Sequence, residues 1–201
     1  MKMICLGDSL TFGAGVESAR CWSTLFRQES GWTVVNRGIS GDTTGGMLAR
    51  LRRDVLEAVH EEWGAGGSCT VLVMGGSNDI FFSGTDSLAR ANMAAICYQL
   101  KAEGIAPLVG IPLPVDWVGA PDKWEGVIDF RDSAAKMVEY QTWLRCFAKG
   151  AGVATVDFYR DFLDENGHIR HELYLDGVHP NWRGHEEMAR RLKETLQMEK
   201  W

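Results

Sequence analysis

A chain of 201 residues, 45% hydrophobic and 24% charged, is long enough for one domain (residues 1–201) with a sizeable core, and this composition excludes a disordered protein. A formal net charge of −6 without a Lys/Arg stripe argues against nucleic acid as a partner. No apolar run reaches the roughly 18–20 residues of a membrane span, so stable membrane insertion is not expected.

The first predicted strand, residues 3–6, begins almost at once and leaves no room for a signal peptide, which gives a cytoplasmic expectation, or a secreted or periplasmic one if a signal has been removed. It runs into Gly7-Asp8-Ser9-Leu10. A second strand over residues 33–35 leads to "ISGDTTGG" around Gly41, and then to a helical pattern of Leu48, Leu51, Val55 and Val59. The basic cluster Arg50, Arg52, Arg53 within that pattern reads as a solvated face. A third strand, residues 70–74, runs directly into Gly76-Ser77-Asn78-Asp79, with a helical stretch over residues 88–100 beyond it. The fourth strand, residues 107–111, precedes the least patterned region of the chain, residues 112–130, which holds Trp117 and Trp124. A helical stretch over 134–148, a fifth strand over 154–158, the loop "LYLDGVHPN" and a final helix carrying Met188, Leu192 and Leu196 complete the order.

Most of these strands are continuous apolar runs, which suits strands buried on both faces of a parallel sheet. Five β-α units imply an open three-layer α/β architecture, whose ligands bind beyond the carboxyl ends of the strands. The five cysteines are scattered, odd in number and without a CxxC, so neither a disulfide framework nor a metal site is expected. Cys5 lies inside a strand pattern and is a poor nucleophile candidate.

Ser9, Gly41, Asn78 and the pair Asp176/His179 all follow predicted strands. A serine becomes nucleophilic when a base takes its proton and a third group orients that base. Asp176 stands three residues before His179, a spacing at which its carboxylate can accept from the imidazole Nδ1–H. Acyl transfer also needs donors where negative charge develops, and a glycine backbone or an Asn amide can supply them. Each stretch alone also reads as an ordinary turn or helix cap. His171 and His185 read as surface or helix-end residues.

Together and in this order, Gly7-Asp8-Ser9-Leu10, Gly41, Gly76-Ser77-Asn78-Asp79 and Asp176-Gly177-Val178-His179 resemble the four blocks of the SGNH, or GDSL, hydrolase family. "NRGISGDTTGGMLARL" further resembles the thioesterase I/lysophospholipase branch of that family. The resemblance implies a three-layer α/β/α sandwich with a five-stranded parallel, flavodoxin-like sheet. It implies Ser9 as nucleophile, His179 as base and Asp176 as the group orienting it. The Ser9 and Gly41 backbone N–H groups and the Asn78 side chain would form the oxyanion hole, while Asp8 and Asp79 would hold loops. The implied activity is hydrolysis of a small-molecule ester or thioester, without metal or organic cofactor.

The residues leave the substrate open. Phe81, Phe82, Trp117 and Trp124 either line an acyl pocket or flap over it, or pack onto the domain edge. Fatty-acyl esters, lysophospholipids and sugar acetates all stay open, as do an acyltransferase and a binding module on the same fold. The sequence carries no signal of oligomeric state.

Overall fold

The computed structural model describes residues 1–59, 69–120, 124 and 126–198. Five parallel strands, β1 (Lys2–Gly7), β2 (Thr33–Gly38), β3 (Cys69–Met74), β4 (Ala106–Ile111) and β5 (Ala154–Asp157), form one sheet in the order β2-β1-β3-β4-β5. The helices include α1 (Ser9–Phe12), α2 (Trp22–Ser30), α3 (Thr44–Leu51), α4 (Ser77–Ser83), α5 (Ser87–Ala102), α6 (Phe130–Ala151) and α7 (Trp182–Met198).

Alternation along the strands divides the core in two, because successive side chains leave opposite faces of a pleated sheet. From β1, Ile4 and Leu6 pack with Met47 and Leu51 of α3, Met93, Ile96 and Leu100 of α5, and Met137 and Leu144 of α6. Met3 and Cys5 face the other way, onto Trp22 and Phe26 of α2 and Met188 and Leu192 of α7. Each such fully buried apolar side chain stabilises the fold by roughly 1.5–3 kcal/mol. With helices on both faces, the central strand β3 is buried along its whole length, as its unbroken apolar run requires.

The chain steps from β1 outward to β2 and then returns to place β3 on the other side of β1. That reversal opens a crevice above the carboxyl ends of β1 and β3, where ligands of such sheets bind. Among the described residues no helix is long and apolar enough to cross a membrane.

Two sequence readings change and a third is narrowed. The fifth strand stops at Asp157, whose side chain accepts from the Arg160 N–H and caps a helical turn starting at Phe158. Of the three clustered arginines, Arg52 and Arg53 are exposed as expected, but Arg50 is only 8% exposed. His185 does stand at a helix end, in the first turn of α7, but it is completely buried against α2 and accepts the Trp22 N–H on its Nδ1. Burial, reinforced by the neighbouring His179 charge, lowers its pKa to about 4, so His185 is neutral near pH 7.

Candidate active site

Ser9 is the first residue of α1 and follows β1 with a single residue between. Asp8 caps that helix, its Oδ1 accepting from the Leu10 N–H at 2.9 Å. The other Asp8 carboxyl oxygen is buried without a partner. Burial pushes this carboxyl up to about 7, against the Leu10 hydrogen bond and the His179 charge, which pull it down. Cys5, one turn of strand earlier, is fully buried and its thiol pKa is raised, which leaves it inert.

His179 approaches from the far end of the chain, on a loop closed by a bridge between Tyr174 and Pro180. Asp176 folds this loop on itself: its Oδ1 accepts from the backbone N–H groups of Val178, at 3.1 Å, and His179, at 2.8 Å. Its Oδ2 lies 2.9 Å from His179 Nδ1. Burial raises the Asp176 pKa, but the hydrogen bonds from His179 and Val178 and the His179 charge outweigh it, and the carboxyl is held at about 2. An ionised carboxylate can only accept, so Nδ1 carries the imidazole proton. Nε2 is thereby left as the acceptor, 3.0 Å from Ser9 Oγ.

A loop beyond β4 braces this arrangement. The Asp116 N–H donates to the Gly177 carbonyl at 2.8 Å, and the Tyr174 hydroxyl donates to the Pro114 carbonyl at 2.6 Å. Gly177 has φ +75°, and a Cβ there would collide with the Asp116 carbonyl, so the close approach requires glycine. His171, exposed as its sequence reading expects, pairs through Nδ1 with the buried Asp116 carboxylate at 2.7 Å.

Gly41, with φ +80°, sits in the turn between β2 and α3. The cap of α3 comes from a neighbouring residue: Thr43 Oγ1 accepts from the Gly46 N–H. Asn78, in the first turn of α4, donates from Nδ2 to the Asp42 carbonyl at 2.8 Å, which occupies one of its two N–H groups. Asp79 accepts from the Thr44 N–H at 2.9 Å and the Thr44 hydroxyl at 2.6 Å, fastening α4 to α3.

Ser9, Gly41, Asn78, Asp176 and His179 border one cavity of about 360 Å³. Its remaining wall is mainly apolar, formed by Phe81, Phe82, Trp124, Ile128, Phe130 and Val178. Phe81 stacks edge-on against Phe130 at 5.5 Å, while Phe82 is 59% exposed. Trp117 is not part of this wall. Its ring lies under the Arg131 guanidinium at 5.5 Å, in a neighbouring shallow cavity that shares Ile128 and Phe130. Ile128, Phe130 and Val178 are wall residues without a motif of their own in the sequence. The apolar pair flanking Asp129, which caps α6, was the available signal for the first two. Val178 stands inside the Asp176–His179 block itself.

The GDSL-like lipase/acylhydrolase family model matches residues 5–187. Esterase TesA of Pseudomonas aeruginosa is 24% identical over 184 residues, which cover 89% of this chain and 79% of that protein. Thioesterase 1/protease 1/lysophospholipase L1 of Escherichia coli K12 is 31% identical over 118 residues, covering 57% of this chain and 53% of that protein. Among solved structures, a member of the lipolytic protein G-D-S-L family from Veillonella parvula superposes with a TM-score of 0.79 at 23% identity, covering 98% of each chain. The chain therefore belongs to the GDSL-like lipase/acylhydrolase family, and it is an ester-hydrolysing enzyme.

Proposed function

We propose that Ser9 carries out this hydrolysis through an acyl-enzyme, on short- to medium-chain acyl esters or thioesters. The observation that carries the reading is the continuous relay from Asp176 to His179 Nδ1 and from Nε2 to Ser9 Oγ, at 2.9 and 3.0 Å, on the border of an apolar cavity.

Ser9 Oγ attacks the carbonyl carbon while His179 Nε2 takes its proton, and the ionised Asp176 stabilises the resulting imidazolium. The carbonyl oxygen, now negative, is received by the Ser9 and Gly41 N–H groups and the second Asn78 N–H. His179 returns the proton to the departing alcohol or thiol. Water then attacks the acyl-enzyme by the same steps, releasing the acid and restoring the Ser9 hydroxyl.

A cavity of about 360 Å³ walled by aromatic and aliphatic side chains supports an acyl chain longer than acetyl, since apolar surface gains stability by being taken out of water. The free thiols of Cys5, Cys21, Cys69, Cys97 and Cys146 support a reducing compartment such as the cytoplasm.

A series of p-nitrophenyl esters from acetyl to palmitoyl, turned over by wild type and by Ser9→Ala, tests this reading. Turnover lost in Ser9→Ala with an optimum beyond acetyl is the expected result. Turnover surviving in Ser9→Ala overturns the nucleophile, and a sharp acetyl optimum overturns the acyl-chain reading. Rates that rise on adding an alcohol acceptor, with the acyl group recovered on that acceptor, would make the protein an acyltransferase.

A further inference from the structure

We infer that Arg50 is the positioning residue of the oxyanion hole: one buried guanidinium fastens the segments that carry Ser9 and Gly41 and, through Asp42, the one that carries Asn78. The inference rests on the assignment of those three residues as the oxyanion donors.

Arg50 projects from the last turn of α3 and reaches acceptors on three segments. Its Nη2 donates to the Gly7 carbonyl at 2.9 Å, two residues before Ser9. That same carbonyl accepts the Ile39 N–H at 3.0 Å, so the end of β1 and the glycine turn meet on one oxygen. Nη1 donates to the Arg37 carbonyl at 2.8 Å and to Asp54 Oδ2 at 2.9 Å. Nε donates to Asp42 Oδ2 at 2.8 Å, and Asp42 immediately follows Gly41. The Asp42 main-chain carbonyl in turn accepts the Asn78 amide at 2.8 Å. Asp42 thus passes the anchorage from Arg50 on to Asn78, while Gly7 passes it to Ser9.

Stability alone is a weak reason for this arrangement. Desolvating a cation and its carboxylate partners roughly offsets their attraction, and a buried ion pair can often be replaced by apolar side chains without loss. What a guanidinium provides and an apolar side chain does not is a rigid planar fork that fixes several acceptors at once. A lysine ammonium is a single point and cannot span Gly7, Arg37 and Asp42 in the same geometry. Donors that act on the transition state lose most of their effect when displaced by about 1 Å, on the order of 10²-fold in rate.

Two variants test the inference. Arg50→Lys keeps the charge and loses the fork. Asp42→Asn keeps the main-chain carbonyl that receives Asn78 and weakens only the Nε contact, so it decides the matter if Arg50→Lys does not fold. Each is compared with wild type and Ser9→Ala for kcat, KM, binding of hexylboronic acid, whose tetrahedral serine adduct carries the oxyanion charge, and binding of hexanol, which does not. The expected result for Arg50→Lys is a fall in kcat of about 10- to 100-fold, a parallel loss of boronic acid affinity, and unchanged KM and hexanol binding. Asp42→Asn should show the same pattern at smaller size. Folded variants that keep wild-type kcat and boronic acid affinity overturn the inference, as do variants in which hexanol binding weakens in step with kcat. If Ser9→Ala itself remains active, it is the nucleophile assignment that fails, and that outcome is read separately.

Discussion

The Nε2 of His179 lies 3.0 Å from the Oγ of Ser9, although 170 positions of chain separate them. The sheet brings Ser9 to this meeting on the carboxyl end of β1, and the loop ahead of α7 brings His179. Between them they fix where a carbonyl carbon must sit, and the effects of nearby substitutions follow from that point.

Asp176 is ionised throughout the range in which such an enzyme is assayed, since its carboxyl is held at about 2. Asp176→Asn keeps the shape but removes the acceptor-only partner of Nδ1, so the imidazole is free to take the opposite tautomer and to present N–H toward Ser9. The expected fall in kcat is about 10⁴-fold with KM little changed, measured on any good ester substrate. A fall of less than tenfold would mean that the fold alone orients His179.

Asn78→Ala removes the side-chain donor of the proposed oxyanion hole, and also the bond to the Asp42 carbonyl. The expected loss in kcat is about 10²–10³-fold, with melting temperature little changed. Unaltered kcat would remove Asn78 from the mechanism.

Asp8 gives a pH signature in stability. Its carboxyl is at about 7 when folded and near 4 when unfolded, so between those values the folded protein holds a proton that the unfolded chain has released. Stability then falls as pH rises from 4 to 7 and levels off above 7, by roughly 4 kcal/mol for three pKa units. Asp8→Asn keeps an oxygen to cap Leu10 and has no proton to lose. Urea unfolding of both proteins from pH 4.5 to 8 should show wild type losing ground to the variant as pH rises. A difference that does not change with pH would place the Asp8 carboxyl in the ordinary range.

Ile128 and Phe130 separate the main cavity from the shallow one beside Trp117. Ile128→Trp fills acyl-side volume without touching Ser9, His179 or Asp176. The expected outcome in the p-nitrophenyl series is a shift of the optimum toward acetyl, with acetyl turnover retained. An unshifted optimum would put the acyl chain elsewhere.

The sheet and the order of the candidate residues are legible in the chain, because both are written in local terms. Continuous apolar runs place strands, and Ser9, Gly41, Asn78, Asp176 and His179 each follow one. Asp176 and His179 share one loop, so their pairing is a matter of three residues of backbone. The strand ends were less legible, as at Phe158, where a side-chain cap on Asp157 turns the chain into a helix.

Which charges are buried follows from contacts between distant segments. Arg50 and Arg52 look alike in sequence, two positions apart, yet the helix carries Arg50 inward over the end of β1 and leaves Arg52 in water. Trp117 and Trp124 stand in one unpatterned loop, and packing sends one under Arg131 and the other to the cavity wall. His185 and His179 flank the same turn, and packing between α2 and α7 buries one while the other meets Ser9. Periodicity reports which face a side chain takes on its own element. What that face meets depends on contacts between segments distant in the chain, and these form only when the sheet and its helices close on each other.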